Sequence, residues 1–293
     1  MSRSILASIM LLLTNSAFAD TIFVNGVERQ YILDAPAGAI KAPLIVALHG
    51  GSGSSKQLKD SIDLTTPANA KGIVVVYPNG LKKMWNDGRI TLKGQLLTES
   101  DDVGFLTALI AELVTKNIVD PNRITFAGIS NGAMMSFKMA CDSTIPSYGV
   151  VAISANIPVP LDCNKTKTRI LNIVGTADRF VSMAGGYVLG FPRRGSFVSS
   201  KETFNNFLVT NGCKGTTATA LPDASQDGMT STITTGNECV KTPTAQIVVQ
   251  GGGHAWAGSP GPGLLNLITG KPTMDFSATH MLINFASGED LLK

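Results

Sequence analysis

The pentapeptide Gly128-Ile129-Ser130-Asn131-Gly132 has the residue types and spacing of a serine nucleophile. In this G-x-S-x-G pattern a strand turns sharply into a helix, and the turn exposes the serine hydroxyl. The flanking glycines allow the strand and the helix to approach closely. Apolar residues 124–127 precede the turn and a helical pattern follows over 133–141, which is the order that the motif requires. Ser130 is therefore our candidate nucleophile, and a purely structural turn is the alternative.

A serine hydroxyl becomes an effective nucleophile when a neighbouring base accepts its proton. The chain has three histidines, which are His49, His254 and His280. His254 follows the last predicted strand in a glycine-rich loop and comes after Ser130 in the chain, so we predict that it is the base. The alternative is a loop histidine that packs on Trp256. His280 lies beside the apolar face of the predicted C-terminal helix, where a solvated or capping role is expected.

The base needs a carboxylate that orients it and stabilises its charged form. The acidic residues between Ser130 and His254 are Asp142, Asp162, Asp178, Glu202, Asp223, Asp227 and Glu238. Of these, Asp178 alone comes just after a predicted buried strand, residues 170–174, and catalytic loops gather at such strand ends. We therefore predict that Asp178 is the acid, with a surface turn as the alternative.

The segment His49-Gly50-Gly51 follows the apolar strand predicted over residues 44–48. A tetrahedral intermediate needs N–H donors aimed at its oxygen, and glycines let the backbone approach closely. We predict that Gly50, Gly51 and the backbone N–H of Asn131 form an oxyanion hole. A tight structural turn is the alternative for the two glycines.

Three further residues near the predicted loops could contact a substrate: Trp85, Asn86 and Trp256. We take them, together with His49, as candidate substrate-binding residues. For the two tryptophans, a pocket wall and ordinary core packing are equally compatible with the sequence. Asp101 and Asp102 begin a predicted helix, where a carboxylate caps free N–H groups.

The cysteines are Cys141, Cys163, Cys213 and Cys239, and an even number suits an oxidising compartment. Four cysteines allow more than one pairing. We favour Cys141 with Cys163 and Cys213 with Cys239, because each pair brackets one local segment. The spacing contains no CxxC and does not resemble a zinc site, so structural disulfides are expected and no metal site.

Short apolar runs alternate with helical patterns along the chain. Strands are predicted over residues 44–48, 73–77, 124–127, 150–154, 170–174 and 247–249, and helices over 101–114, 133–141 and 200–211 and from 277. An Asn25-Gly26 hairpin precedes them, and the polar stretch 222–241 is predicted to be a peripheral hairpin or loop. The alternation predicts an α/β fold with a mainly parallel central sheet and helices on both faces.

The N-terminus has the pattern of a secretory signal peptide, with Arg3, a short apolar core over residues 5–13, and Ala17-Phe18-Ala19. We predict a signal peptide over residues 1–19 and a single catalytic domain over residues 20–293, located in the periplasm or the medium. Apolar residues make up 44% of the chain and charged residues 15%, which suits a globular core. The net charge of +3 is too small to predict nucleic acid or membrane partners.

Six motifs occur in a characteristic order: His49-Gly50-Gly51, Trp85-Asn86, Asp101-Asp102-Val103-Gly104-Phe105, Gly128-Ile129-Ser130-Asn131-Gly132, Gly175-Thr176-Ala177-Asp178 and Gly252-Gly253-His254-Ala255-Trp256. Over roughly residues 21–285 the chain resembles the secreted polyhydroxybutyrate depolymerase-like esterases, which include feruloyl and acetyl xylan esterases. Family members often have H-G-C where this chain has His49-Gly50-Gly51, so a cysteine contact there would be absent. Some members carry a separate polymer-binding module, and we expect none here.

The resemblance implies an α/β-hydrolase fold and a triad of Ser130, Asp178 and His254 that cleaves carboxylic esters without a metal or organic cofactor. The expected substrates are polyhydroxybutyrate-type oligomers or polyesters, or feruloyl and acetyl esters of polysaccharides. Two alternatives remain open at this stage. One is a serine peptidase on the same fold, and the other is an exported polymer-binding protein without turnover.

Overall fold

A computed structural model of the chain describes residues 19–261 and 266–293. Residues 1–18 of the predicted signal peptide lie outside the described residues. The strands are β1 Asp20–Val24, β2 Val27–Asp34, β3 Ala42–Leu48, β4 Val74–Pro78, β5 Val119–Ile129, β6 Gly149–Ile153, β7 Arg169–Gly175, β8 Gly186–Tyr187, β9 Ser196–Phe197, β10 Gly215–Ala220, β11 Thr230–Asn237 and β12 Thr244–Gln250. The helices are α1 Ser55–Ile62, α2 Thr65–Ala70, α3 Asp102–Thr115, α4 Asn131–Asp142, α5 Ser200–Thr210, α6 Asn266–Thr269 and α7 Ala278–Ser287.

One large sheet runs in the order β1-β2-β4-β3-β5-β6-β7-β12-β11-β10. Neighbours from β4 to β12 are parallel, and the pairs toward both edges are antiparallel. The central strands are almost wholly buried, as a sheet covered on both faces requires. The predicted mainly parallel α/β sheet is confirmed.

The two faces of the sheet carry separate hydrophobic clusters. Along β3, Ile45 packs on the face that also buries residues of α1, α2 and α7, whereas Val46 packs on the face covered by α3. Phe137 of α4 and Phe207 of α5 stack at 5.9 Å in a third cluster, on the side of α3. This alternation along a strand is the period of two that a doubly covered sheet imposes.

The edges of the sheet differ in part from the sequence prediction. The Asn25-Gly26 hairpin joins β1 and β2 as predicted, with positive φ at both turn residues. The polar stretch 222–241 does contain a hairpin strand, but that strand, β11, pairs with β12 and extends the main sheet. The sequence pattern also missed α1 and α2, because both helices are short and largely polar.

Two disulfides join Cys141 to Cys163 and Cys213 to Cys239, the pairing predicted from the sequence. The first ties the C-terminal end of α4 to the loop after β6. The second ties the end of α5 to the segment between β11 and β12. No helix in the described part of the chain is long and apolar enough to cross a membrane.

Candidate active site

Ser130 lies at a sharp turn between β5 and α4 with φ 57° and ψ −125°. Such a backbone conformation is costly for a residue with a side chain, and strain of this kind concentrates at functional sites. The neighbouring glycines have a steric reason. A Cβ on Gly128 would lie 2.7 Å from the carbonyl oxygen of Leu48, and one on Gly132 would lie 2.2 Å from the same oxygen. Only glycine therefore lets β5, α4 and β3 meet at this turn.

Asp178 and His254 lie on two loops that leave the same edge of the sheet. Asp178 comes shortly after β7 and His254 shortly after β12, and these strands are parallel neighbours. Backbone hydrogen bonds join the loops, because the N–H of Ala177 donates to the oxygen of Gly252 at 2.9 Å. The two strands thereby bring together residues that are 76 positions apart in the chain.

Nδ1 of His254 is 2.7 Å from Oδ2 of Asp178. The other carboxylate oxygen accepts hydrogen bonds from the backbone N–H groups of Phe180 and Val181, at 2.8 and 2.9 Å. The Phe180 ring also stacks on the imidazole, with ring centres 4.9 Å apart. Because Nδ1 is engaged by the carboxylate, Nε2 is the ring nitrogen that can accept a proton.

A cavity of about 470 Å³ lies over Ser130, within the usual size range of small-molecule sites. Both Ser130 and His254 line it, whereas Asp178 lies behind the imidazole. The described lining residues are Gly50, Gly51, Ser52, Met84, Arg89, Leu97, Ile129, Ser130, Asn131, Phe180, Val188, Arg194, His254 and Thr269. The described residues contain no group of three or more His, Cys, Asp or Glu that could hold a metal ion.

The glycine loop after β3 contacts the Ser130 turn directly. A Cβ on Gly50 would lie 3.6 Å from Cβ of Ser130, and one on Gly51 would lie 3.7 Å from Cβ of Asn131. Asn131 is the first residue of α4, and the first N–H groups of a helix have no partner within it. The glycine loop and the start of α4 are therefore direct neighbours at the Ser130 turn.

The side chain of Asn131 is fixed by a buried network that the sequence pattern missed. Its amide exchanges two hydrogen bonds with the backbone of Trp85, at 2.8 and 3.0 Å, and donates to Asp87 at 2.7 Å. Asp87 in turn forms a salt bridge of 2.8 Å with Arg89, and both side chains are almost fully buried. In the sequence, the acidic Asp87 and the basic Arg89 lie two positions apart, and this spacing was the available signal for the salt bridge.

His49 was predicted to bind substrate, but the structure buries it behind the glycine loop and outside the described cavity lining. Its Nε2 accepts a hydrogen bond from the N–H of Gly80 at 3.0 Å, and its Nδ1 lies 2.8 Å from the oxygen of Gly50. Burial lowers the pKa of His49, although the bond to Gly50 opposes the shift. A neutral His49 therefore supports the glycine loop from behind.

The other three candidate substrate contacts also lie outside the described cavity lining. Trp85 is 1% exposed, and its indole donates to the oxygen of His49. Trp256 is buried in the hydrophobic core and donates to Thr279. Asn86 donates to the backbone oxygen of Ser100. For both tryptophans the structure supports core packing, because loop positions alone do not reveal which way a large ring turns.

The two acids at the start of α3 have different roles. Asp101 caps the helix, as predicted, by accepting a hydrogen bond from the N–H of Gly104 at 2.8 Å. Asp102 instead forms a buried salt bridge with Arg29 and accepts a hydrogen bond from the backbone N–H of Asn86. The second acid therefore holds the Trp85-Asn86 segment in place.

Comparisons with known proteins identify the family of this chain. A family model described as phospholipase/carboxylesterase matches residues 41–189. The chain belongs to this family. The enzyme is accordingly a carboxylic ester hydrolase with the α/β-hydrolase fold.

Two relatives extend the similarity over most of the chain. The chain is 27% identical over 286 residues to "Putative esterase NocK" of Nocardia uniformis subsp. tsuyamanensis. The aligned region covers 92% of this chain and 82% of that protein. The chain is 29% identical over 253 residues to feruloyl esterase B of Piromyces equi, covering 78% of this chain but 42% of that protein. The expected resemblance to feruloyl esterases is confirmed, and the resemblance to polyhydroxybutyrate depolymerases stays a prediction.

Among solved structures, the acetyl xylan esterase from Aspergillus awamori superposes on the enzyme with a TM-score of 0.52. The two chains are 15% identical, and the match covers 81% of this chain and 94% of the other. At this level of identity the likeness shows the fold alone.

Proposed function

We propose that Ser130, His254 and Asp178 form a catalytic triad that hydrolyses carboxylic esters through an acyl-enzyme. One observation carries the proposal: the 2.7 Å contact between Asp178 and His254 lies beside a cavity that both His254 and the strained Ser130 line. A nucleophile, an orienting acid and a base, in this chain order, are the arrangement expected of the fold.

The reaction has two steps. Nε2 of His254 takes the proton of Ser130, whose oxygen attacks the ester carbonyl, and the collapse of the tetrahedral intermediate releases the alcohol with that proton. Water, deprotonated by the same imidazole, then attacks the acyl-enzyme and releases the acid. Backbone N–H groups of Gly50 or Gly51 and of Asn131 stabilise the oxyanion in both steps.

The proposed substrates are feruloyl or acetyl esters of polysaccharides and oligomers of hydroxyalkanoates. The feruloyl esterases among the relatives support the first class. The cavity of about 470 Å³ has room for an acyl or aromatic unit of either class. The two disulfides support export, which we propose proceeds through the signal peptide predicted over residues 1–19.

The proposal is tested with residues 20–293 and two serine variants, Ser130→Ala and Ser52→Ala. Ser52 also lines the cavity and is a matched control. Methyl ferulate and 3-hydroxybutyrate oligomers are supplied in parallel and the released acids are quantified. We expect Ser130→Ala to lose nearly all turnover and all labelling by a fluorophosphonate, while Ser52→Ala keeps both.

Turnover retained by Ser130→Ala would overturn the nucleophile assignment. Cleavage of an amide substrate at a rate similar to that of the matched ester would favour a peptidase. A wild-type enzyme that neither turns over any ester nor takes the fluorophosphonate would favour a binding protein.

A further inference from the structure

The described residues that line the cavity include two arginines, Arg89 and Arg194, and no lysine, aspartate or glutamate. The charge of Arg89 is neutralised by its buried salt bridge to Asp87. Within the described ranges, Arg194 has no carboxylate within ion-pair distance. Arg194 is therefore the arginine of the described lining whose charge no carboxylate neutralises.

The backbone at Arg194 is fixed relative to the proposed oxyanion hole. Nη1 of Arg89 donates to the backbone oxygen of Arg194 at 3.3 Å. Gly195, with φ 72°, packs so closely on Arg89 that an added Cβ would lie 2.7 Å from the arginine Cβ. Because Arg89 holds Asp87 and Asp87 holds Asn131, one chain of contacts connects Arg194 to the start of α4.

The same segment is also attached to the histidine side of the cavity. The N–H of Leu189 donates to the oxygen of Phe180 at 2.9 Å, and the Phe180 ring stacks on His254. The Arg194 guanidinium lies 5.6 Å from the ring centre of Phe191, and its side chain is exposed. The position of the segment is thus defined from two sides while the cation remains accessible to a ligand.

We propose that Arg194 binds a carboxylate carried by the ester substrate, so that the enzyme prefers acidic esters to neutral ones. A guanidinium offers two parallel N–H donors that match the two oxygens of a carboxylate. The proposal rests on the assignment of Ser130 as the nucleophile in the same cavity. Of the two substrate classes above, hydroxyalkanoate oligomers end in a carboxylate, whereas methyl ferulate has none.

The carboxylate could belong to the acyl part or to the alcohol part of the ester, and paired substrates separate the two. The acyl arm compares 4-nitrophenyl hydrogen adipate with 4-nitrophenyl adipamate. The alcohol arm compares 3-butanoyloxybutanoic acid with 3-butanoyloxybutanamide. In each pair a neutral amide replaces the carboxylate at nearly constant size. kcat/KM is measured for the wild type, Arg194→Gln and Arg193→Gln.

Arg193 is the matched control, because it packs on the same Phe191 ring at 5.5 Å but is not among the described lining residues. We expect the wild type to favour the acid over the amide in one arm by about tenfold, the size of one charge-assisted contact in a partly open site. Arg194→Gln should bring this ratio close to one, and its kcat/KM for the amide should stay within about twofold of the wild-type value. Arg193→Gln should keep the wild-type ratio of acid to amide. Added salt should reduce this ratio in the wild type, because it screens the contact between the guanidinium and the carboxylate.

Equal rates for acid and amide in both arms would overturn the role of Arg194. So would an equal loss of both rates in Arg194→Gln, since that would mean the residue acts through the fold. These results are distinct from a failure of the proposed triad, because turnover that persists in Ser130→Ala would overturn the nucleophile whatever the acid preference.

Discussion

At the scale of single residues, the two carboxylate oxygens of Asp178 have different partners. Oδ1 accepts from two backbone N–H groups, those of Phe180 and Val181, and Oδ2 faces Nδ1 of His254. In Asp178→Asn the two backbone donors would keep the amide oxygen at the Oδ1 position, so the NH₂ group would face the imidazole. That group donates to Nδ1 and moves the ring proton to Nε2, the nitrogen that accepts the proton of Ser130 in the proposed mechanism.

We therefore expect Asp178→Asn to lower kcat by about 1,000-fold or more, while the thermal unfolding midpoint changes little. The matched control is Asp162→Asn, because exposed Asp162 also accepts a backbone hydrogen bond but lies outside the described cavity lining. Initial rates on a 4-nitrophenyl ester, with circular dichroism melts, measure both effects. A kcat for Asp178→Asn within tenfold of wild type would contradict the assigned tautomer and the acid.

At the scale of elements, the site depends on the close contact between the start of α4 and the end of β3. A Cβ on Gly132 would lie 2.2 Å from the oxygen of Leu48 and 2.4 Å from that of His49. Both neighbours are backbone atoms, so they cannot move aside as a side chain could. We expect Gly132→Ala to lower the free energy of unfolding by about 3 kcal/mol, as overpacking of a close backbone contact does.

Urea unfolding followed by tryptophan fluorescence measures this loss, with Gly215→Ala as the control. The nearest atom to a Cβ on Gly215 is 3.9 Å away, which is ordinary contact, so its free energy of unfolding should barely change. Similar unfolding midpoints for the two variants would show that α4 can move away from β3. The close packing would then not be what fixes the Ser130 turn.

The elements also show what the sequence could and could not predict. Asp178 and His254 follow apolar runs that end in glycine-containing turns, so their place at strand ends could be inferred. Trp85 and Trp256 lie on loops whose direction is set by contacts with distant residues, such as Thr279, and no local pattern encodes those contacts. The same holds for Arg194, which reaches the cavity through its contact with Arg89.

At the scale of the whole molecule, the sheet order explains why residues so far apart in sequence form one site. The segments with Gly50, Ser130, Asp178 and His254 follow β3, β5, β7 and β12, which are all parallel in one sheet. Their carboxyl ends therefore meet at one edge, as in other open α/β sheets. The alternation of strands and helices predicts this edge, but the order of strands within the sheet comes from packing that local patterns do not record.

The two disulfides act on the molecule as a whole. The disulfides close loops between cysteines 22 and 26 residues apart. By restricting the unfolded chain, a bridge of this loop length raises the free energy of unfolding by about 3 kcal/mol. We expect the double substitution Cys141→Ser with Cys163→Ser to lower the free energy of unfolding by about that amount. The corresponding change at Cys213 and Cys239 should have a similar effect, because the two loops are similar in length.

Guanidinium unfolding with and without a reductant checks this expectation. The reductant should lower the midpoint of the wild type and leave unchanged a variant in which all four cysteines are serine. Loss of the Cys141–Cys163 bridge should lower activity more than loss of the other bridge. Cys141 lies in the last turn of α4, the helix that begins next to Ser130, whereas Cys213 follows α5. A wild-type midpoint that does not respond to complete reduction would contradict a stabilising role for the disulfides.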